Sequence, residues 1–447
     1  MSASRMNSQV KKHRRWLILA PAFNSDGRAA SLTITDKIPY LEAAGIDIEV
    51  VSGLSGNRHS RIPQYQIWPW SPSGIRYEYR YVIANRYGRG LRYRLQTVPI
   101  SILLIPAIFI ERILTGLSWH WSWTPAAALK AWRLSRKKTF EIIYSSGGPV
   151  SAHLAGWMTH KLTGIFWIAE IHDPIVGSST AQGLSLWKRL SRQKYLERLL
   201  EKLVCKDANA IWWFTEAALA AARSRNPQLG EKGFYVLPGA MSPKVLEQHV
   251  YGEYLNIGHF GKISATRSLY EFLQGLSLWL ERNPIARKVV RLHIYGSDMD
   301  SRAQEAVSKL NLVDIIISHG RLERDPITKE SGRTQVVRKM QKCDLLLLLH
   351  GNDPSCAEYI PSKLYEYLWA RRPILALTHQ NPQLDELIQR FGGLISNNID
   401  PQAIADMIDI VWSKWSSRSL EPNLIAPIGV DTAVSEILKK VDGLGSE

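Results

Sequence analysis

The sequence predicts an α/β protein made of two open parallel sheets, and three observations carry that expectation. Short apolar runs alternate with amphipathic stretches along most of the chain, the pattern of strand–helix–strand units. The chain has 447 residues, enough for two to three domains of ordinary size. Residues 238–253 contain Pro and Gly, lack strong periodicity, and divide the alternation into two sets. Each set reads as a Rossmann-like domain, and two such domains facing each other place a ligand cleft at the strand carboxyl ends.

The first set, over residues 14–237, offers strands at 16–20, 46–51, 141–145, 166–171 and 210–214, with helices at 30–44, 124–136, 152–163 and 184–206. The second, over 254–420, offers strands at 255–259, 291–295, 315–319, 345–350, 374–377 and 393–395. Its helices fit at 268–282, 303–310, 336–342, 361–370, 382–391 and 401–415. Residues 1–13 read as a basic disordered tail, 238–253 as the linker and 421–447 as a C-terminal tail. The apolar part of the N-terminus, 16–23, is short for a signal sequence and reads as a first buried strand. The run VPISILLIPAIFI at 98–110 holds two prolines and is shorter than the ~20 residues of a spanning helix. Burial is its default, a membrane-dipping segment its alternative.

Composition narrows the function classes. Hydrophobic content of 45% supports buried cores, and charged content of 21% argues against wholesale disorder. The net charge of +16 is uneven: residues 1–235 hold 32 Lys/Arg against 15 Asp/Glu, the remainder 24 against 25. A field of one sign attracts polyanions or anionic lipid head groups, and a solvated basic face explains it as well. Residues 65–95 interleave Tyr and Trp with Arg. That mixture suits a membrane interface or single-stranded nucleic acid, and equally a surface loop with a short helix. Three cysteines, Cys205, Cys343 and Cys356, form no CxxC pair and no zinc spacing, which fits a reducing compartment. No G-x-G-x-x-G follows the first strand, which argues against a nicotinamide dehydrogenase.

The segment EYIPSKLYEYLWARRPILAL, 358–377, carries the most chemistry. It reads as a turn, a helix opened by Pro361, then a strand. The backbone N–H groups of Ser362, Lys363 and Leu364 at the helix opening can hold a phosphate, helped by the helix dipole. Glu366, farther into the helix, can accept hydrogen bonds from two ribose hydroxyls. Together they form a workable clamp for a nucleoside diphosphate; read alone, the segment is an ordinary amphipathic helix with Glu366 solvated. A second segment, LNIGHFGKISATRSLYEFL at 255–273, ends a strand at Phe260 and continues with Gly261, Lys262 and Arg267 into a helix.

These segments resemble the donor site of retaining GT-B glycosyltransferases of family 4. Glu358 and Glu366 have seven residues between them, the E-x7-E spacing of that group. The resemblance implies that Glu366 binds the donor ribose and that Glu358 lies near the donor sugar. It places Gly261, Lys262 and Arg267 at the family's glycine and paired cations, which grip the donor pyrophosphate and offset charge on the leaving group. RLHIYGSD (291–298), ISHGRLERD (317–325) and CDLLLLLH (343–350) resemble, in order, the family's next strand and glycine turn, the loop against the nucleotide base, and the strand leading to the donor helix.

In the first half, 142–176 resembles bacterial surface-polysaccharide transferases, with a strand ending in His172-Asp173-Pro174. By that resemblance His172 contacts the donor sugar, and Asp173 orients it or contacts the acceptor; the plainer alternative is that Asp173-Pro174 terminates a strand. PAFNSDGRAAS (21–31) resembles the first glycine loop, where Gly27 would let backbone approach the donor.

The resemblance implies transfer of a hexose-type sugar from a nucleoside diphosphate sugar to a hydroxyl acceptor, with retention, no metal and no further cofactor. Asp298-Met299-Asp300 has the spelling of a metal motif but falls after a glycine turn in the second set. The expected partners are the nucleotide-sugar donor, a lipid-linked or cell-surface glycan, and an anionic membrane touched peripherally; the expected place is the cytoplasm, at the inner face of the plasma membrane. A nucleotide-sugar epimerase of the same fold and a non-catalytic sugar-nucleotide-binding subunit are the alternatives. A nucleic-acid partner is not expected, given the neutral second half.

Overall fold

The computed structural model describes residues 14–25, 28–88, 90–148, 150–176, 192–264, 266–323, 325, 327–328 and 330–444. The described residues fall into two compact units, one within Met1–Ser25, Ala30–Glu170 and Ser191–Ile211, the other within Asp26–Ala29, Ile171–Leu190 and Trp212–Glu447.

The first sheet has seven strands: β1 (Arg14–Leu19), β2 (Ile46–Ser52), β3 (Gln64–Gln66), β4 (Ile142–Gly147), β5 (Phe166–Ile171), β6 (Ala210–Trp213) and β7 (Gly233–Tyr235). Their order is β3-β2-β1-β4-β5-β6-β7, and β1 pairs in parallel with both β2 and β4. The second sheet has six: β8 (Leu255–Gly261), β9 (Val290–Gly296), β10 (Ile316–Gly320), β11 (Leu345–Leu349), β12 (Ile374–Thr378) and β13 (Leu394–Asn397). It is parallel throughout in the order β10-β9-β8-β11-β12-β13, so each sheet reverses direction next to its first strand, as doubly wound sheets do. The expected α/β class with two Rossmann-like sheets is what the chain adopts.

Period-two alternation explains why the second sheet buries both faces. In β11, Leu345, Leu347 and Leu349 join a core with Phe272, Leu276, Trp279, Ile404 and Ile408. Leu346 and Leu348 point to the opposite face and meet Leu364, Tyr367 and Leu368. An all-leucine strand can serve both layers because neither face sees water. The predicted helix over 30–44 is two helices, Ala29–Thr35 and Ile38–Ala43, with Asp36 and Lys37 between them. Lys37 turns inward, and its ammonium pairs with Glu170 at 2.7 Å while both side chains are almost wholly buried. Residues 430–444 add a helix whose Val434, Ile437 and Val441 are buried.

One expectation about the core fails. The apolar run at 98–110 lies on two helices, Leu91–Leu103 and Ile105–Thr115, and most of its large apolar side chains face solvent. Only Thr97 and Ile108 of these two helices are buried. Apolar stretches usually lie inside, but both helices pack by one narrow inner edge on the helix Pro72–Tyr87 and leave the rest uncovered.

Candidate functional site

In the second sheet the switch point falls between β8 and β11. The two strands pair at Leu345↔Ile257 and Leu346↔Gly258 and then part. Tyr367, fully buried in the helix Lys363–Ala370, bridges the opening. Its hydroxyl accepts from the Phe260 N–H at 2.9 Å and donates to the Leu347 carbonyl at 3.2 Å. Burial pushes its phenol well above the ordinary range. This one side chain holds the predicted donor helix, at its middle, against the two strands.

β8 closes on Gly261, whose φ of 150° disfavours a side chain. A Cβ there would lie 3.9 Å from Lys363 Cγ and 4.0 Å from His259 Nε2, so strand end, helix start and imidazole converge. Opposite, a Cβ on Gly296 would meet the Gly261 carbonyl oxygen at 2.1 Å. Lys262 follows, exposed and without an ion pair among the described residues. Arg267 is half-buried, and its Nη2 donates to the Tyr359 hydroxyl at 3.1 Å.

Glu358 is only 8% exposed, and its backbone carbonyl accepts from Thr215 Oγ1 at 2.6 Å. Ser362 is exposed at the opening of the 363–370 helix and makes no side-chain cap. The Leu364 N–H is bonded to the Pro361 carbonyl at 2.9 Å, so of the three predicted phosphate donors it is already engaged. Lys363 and Glu366 form an ion pair one turn apart, through Glu366 Oε2.

Two histidines that the motifs do not single out complete the crevice. His259, in β8, bonds the Leu347 carbonyl through Nδ1 at 3.1 Å. His350 follows β11 and bonds the Tyr359 carbonyl through Nε2 at 3.2 Å. Burial pushes His259 down to about 4, the Leu347 carbonyl opposes that, and the Arg267 and Lys363 cations add to it. Burial likewise pushes His350 down to about 4, opposed by the Tyr359 carbonyl and assisted by Arg267. Both imidazoles are therefore neutral at pH 7. Four buried side-chain atoms of this region have no hydrogen-bond partner among the described residues: His259 Nε2, Arg267 Nε, His350 Nδ1 and Glu358 Oε2. A buried polar atom left unpaired costs roughly 1–3 kcal/mol, so several together mark a place built to receive polar groups. A small pocket open to solvent adjoins His350 and is lined also by Thr266, Ser268, Asn352 and Asn398.

The low pKa of His259 has a consequence for stability. Its folded value lies below its unfolded value near 6.5, so its contribution is complete above pH 6.5 and is lost as pH falls toward 4. The loss is on the order of 3 kcal/mol. Urea unfolding at pH 7 and pH 4.5 is expected to show a smaller pH-dependent loss in His259→Asn than in the unsubstituted chain. Equal losses would mean that His259 does not titrate across this window.

Of the remaining predicted residues, His172 directly follows β5 and stacks on Phe214 with ring centroids 4.8 Å apart, while Asp173 is exposed. Phe214 precedes Thr215, the residue that holds the Glu358 carbonyl, so His172 and Glu358 belong to one chain of contacts. Gly27 lies outside the described residues. Asp300 of the Asp-Met-Asp run caps the helix Ser301–Lys309 by accepting from the Ala303 N–H at 3.2 Å, and takes a hydrogen bond from Ser268 at 2.7 Å.

No protein-family model matches the sequence, and no curated protein matches it. Solved structures do. A point mutant of S. aureus TarM in complex with fondaparinux, alpha-GlcNAc-glycerol and UDP is 11% identical, with a TM-score of 0.57, over 96% of this chain and 99% of that one. The E. coli trehalose-6-phosphate structure bound with UDP-2-fluoro glucose is 12% identical, with a TM-score of 0.56, over 97% and 95%. WaaG, a glycosyltransferase involved in lipopolysaccharide biosynthesis, is 11% identical, with a TM-score of 0.52, over 91% and 92%. At these identities the likeness is one of fold, and it extends over nearly the whole of each chain: this protein has the two-sheet α/β architecture of GT-B glycosyltransferases.

Proposed function

We propose that this chain transfers a hexose-type sugar from a nucleoside diphosphate sugar to a hydroxyl acceptor, a lipid-linked or cell-surface glycan, with retention and without a metal. The observation that carries this is the β8/β11 crevice, where Lys262, Arg267 and Lys363 accompany four unpaired buried polar atoms. Similar structures hold UDP or a UDP-sugar, which supports a nucleotide donor.

In this reading residues 254–420 bind the donor and 14–237 the acceptor. Glu366 takes the ribose hydroxyls, and the N–H groups of Ser362 and Lys363 take phosphate oxygens. As the anomeric C–O bond breaks, its electron pair leaves with the diphosphate, and Lys262 and Arg267 stabilise the negative charge that a divalent ion would otherwise meet. The acceptor oxygen attacks on the face the diphosphate is leaving, and its proton passes to a departing phosphate oxygen. Glu358 and His172 would hold the sugar, with Asp173 orienting His172 or touching the acceptor. The basic first half suits an acceptor held at the inner face of the plasma membrane.

The test is transfer from labelled UDP-, GDP- and dTDP-sugars to a lipid extract of the source cells, beside Glu366→Ala and Lys262→Ala. Transfer from one donor, lost in both variants, is expected. Conversion of the donor without an acceptor would establish the epimerase instead, and no nucleotide binding at all would dispose of the donor site.

A further inference from the structure

We propose that the bent helix pair of residues 91–115 is a membrane anchor that inserts into one leaflet of an anionic bilayer. It sharpens the peripheral membrane contact of the functional proposal and needs nothing from the donor site.

The physical anomaly is an apolar stripe turned the wrong way. Leu91, Leu95, Val98 and Ile102 recur at helical spacing along the helix Leu91–Leu103, and all face solvent, Leu95 at 65% and Ile102 at 60%. Ile105, Phe109 and Ile113 do the same along the helix Ile105–Thr115, with Phe109 64% and Ile113 65% exposed. Monomeric proteins rarely leave so continuous an apolar surface in water.

Charge is excluded from this surface by sequence and by specific bonds. No Asp, Glu, Lys or Arg occurs from Leu95 to Ile110. The two acids of residues 72–115 are removed from the outside. Glu78 is buried, and Glu111 accepts from both the N–H and the hydroxyl of Ser73 at 2.9 and 2.6 Å. Among the described residues of this stretch, the charges left exposed are Arg80, Arg86, Arg92, Arg94 and Arg112. Arg192 closes the far end by donating to the Leu114 carbonyl at 2.7 Å. Trp68 and Trp70, 43% and 61% exposed, stand just before the helix Pro72–Tyr87 on which both helices pack. Exposed indoles and arginines around an apolar face are the composition of a lipid interface.

Dimensions decide between lying in the membrane and crossing it. No single helix among the described residues is long and apolar enough to span; these two pass that test only together, and the 52° bend between them breaks the pair in the middle. With 13 and 11 residues they reach about 20 and 16 Å, short of the ~30 Å hydrocarbon core. Both are fastened to the arginine-rich helix Pro72–Tyr87, which belongs at the head groups. The alternative occupant, a second copy of the chain, would set like-charged arginines against one another, whereas anionic lipid meets them with opposite charge.

The experiment is flotation of the full chain with vesicles of zwitterionic phospholipid, with and without anionic phospholipid, in low salt and in about 1 M NaCl, where the Debye length is ~3 Å. The chain is expected to float with the anionic vesicles and to remain bound at high salt, because an inserted apolar surface is not screened. The combined Ile102→Asp, Phe109→Asp and Ile113→Asp variant, at positions that touch no core, is expected to keep its melting midpoint and lose at least about tenfold in bound fraction. As a measurement that does not depend on that variant, Ile113→Cys carrying an environment-sensitive dye is expected to shift to the blue on adding vesicles, the native cysteines being buried. Failure to float, flotation that vanishes at high salt, an unshifted dye, or a dimer that the Asp variant splits while neither form floats would each overturn the inference. None of these outcomes bears on nucleotide binding, so the donor site stands or falls separately.

Discussion

Arg267→Ala is expected to lower kcat for sugar transfer by ~10²–10³-fold while nucleotide affinity falls far less, the signature of losing one preorganised charge at a developing anion. The geometry gives the reason. Arg267 is held before any donor arrives, by its hydrogen bond to the Tyr359 hydroxyl at 3.1 Å and by the Tyr359 ring, 5.6 Å from the guanidinium carbon. Its Nε is buried without a partner, so the group already lacks water at the position where a phosphate oxygen would be received. A group fixed and desolvated in advance acts more strongly on the transition state than the exposed Lys262, which must be ordered first. Arg267→Lys keeps the charge and loses the fork, and is expected to recover only part of the rate. Steady-state kinetics on labelled donor, with nucleotide affinity by calorimetry, separates the two effects. A rise in KM with kcat unchanged would place Arg267 in ground-state binding and remove it from the chemistry.

Much of this site is legible from residue order alone, and the parts that are not share a cause. The strand at 345–349 is an uninterrupted run of leucines between Asp344 and His350, so its existence needs no tertiary information. Ser362 and Glu366 are legible because a helix fixes the spacing between its opening and its first turns. β3 and β7 are not, since three residues each, Gln64–Gln66 and Gly233–Tyr235, are too few to establish alternation. His259 and His350 escape notice because a single histidine in an apolar strand is ordinarily a satisfied core residue. Their signal is positional: each sits at the carboxyl end of one of the two strands that flank the switch point. That becomes visible only once strand order is known, and strand order is set by pairing between segments some 90 residues apart, Leu345 with Ile257 among them. The exposed stripe of residues 91–113 is misread for the opposite reason. Local hydrophobicity reports that a segment leaves water, and does not say whether protein or lipid receives it.

Glu366 offers the sharpest test of the donor orientation, because its proposed partner can be edited in the ligand as well as in the protein. UDP affinity is expected to fall ~10–100-fold in Glu366→Ala, in keeping with ~1.5–3 kcal/mol for hydrogen bonds to a charged group. The informative quantity is the ratio of affinities for UDP and its 2′,3′-dideoxy analogue. If the carboxylate accepts the ribose hydroxyls, the unsubstituted chain prefers UDP and the variant binds both alike, so protein and ligand changes fail to add. Lys363 supplies the control. Its ammonium pairs with Glu366 Oε2 while its α-carbon helps open the helix, so it touches both the carboxylate and the proposed phosphate position. Lys363→Ala removes charge from the phosphate side and leaves Glu366 partly exposed and able to bond ribose. It is expected to weaken UDP and dideoxy-UDP by the same factor and preserve their ratio. A ratio that survives in Glu366→Ala, or that collapses only in Lys363→Ala, would reverse the donor within the crevice and put its ribose at the β8 end, beside His259.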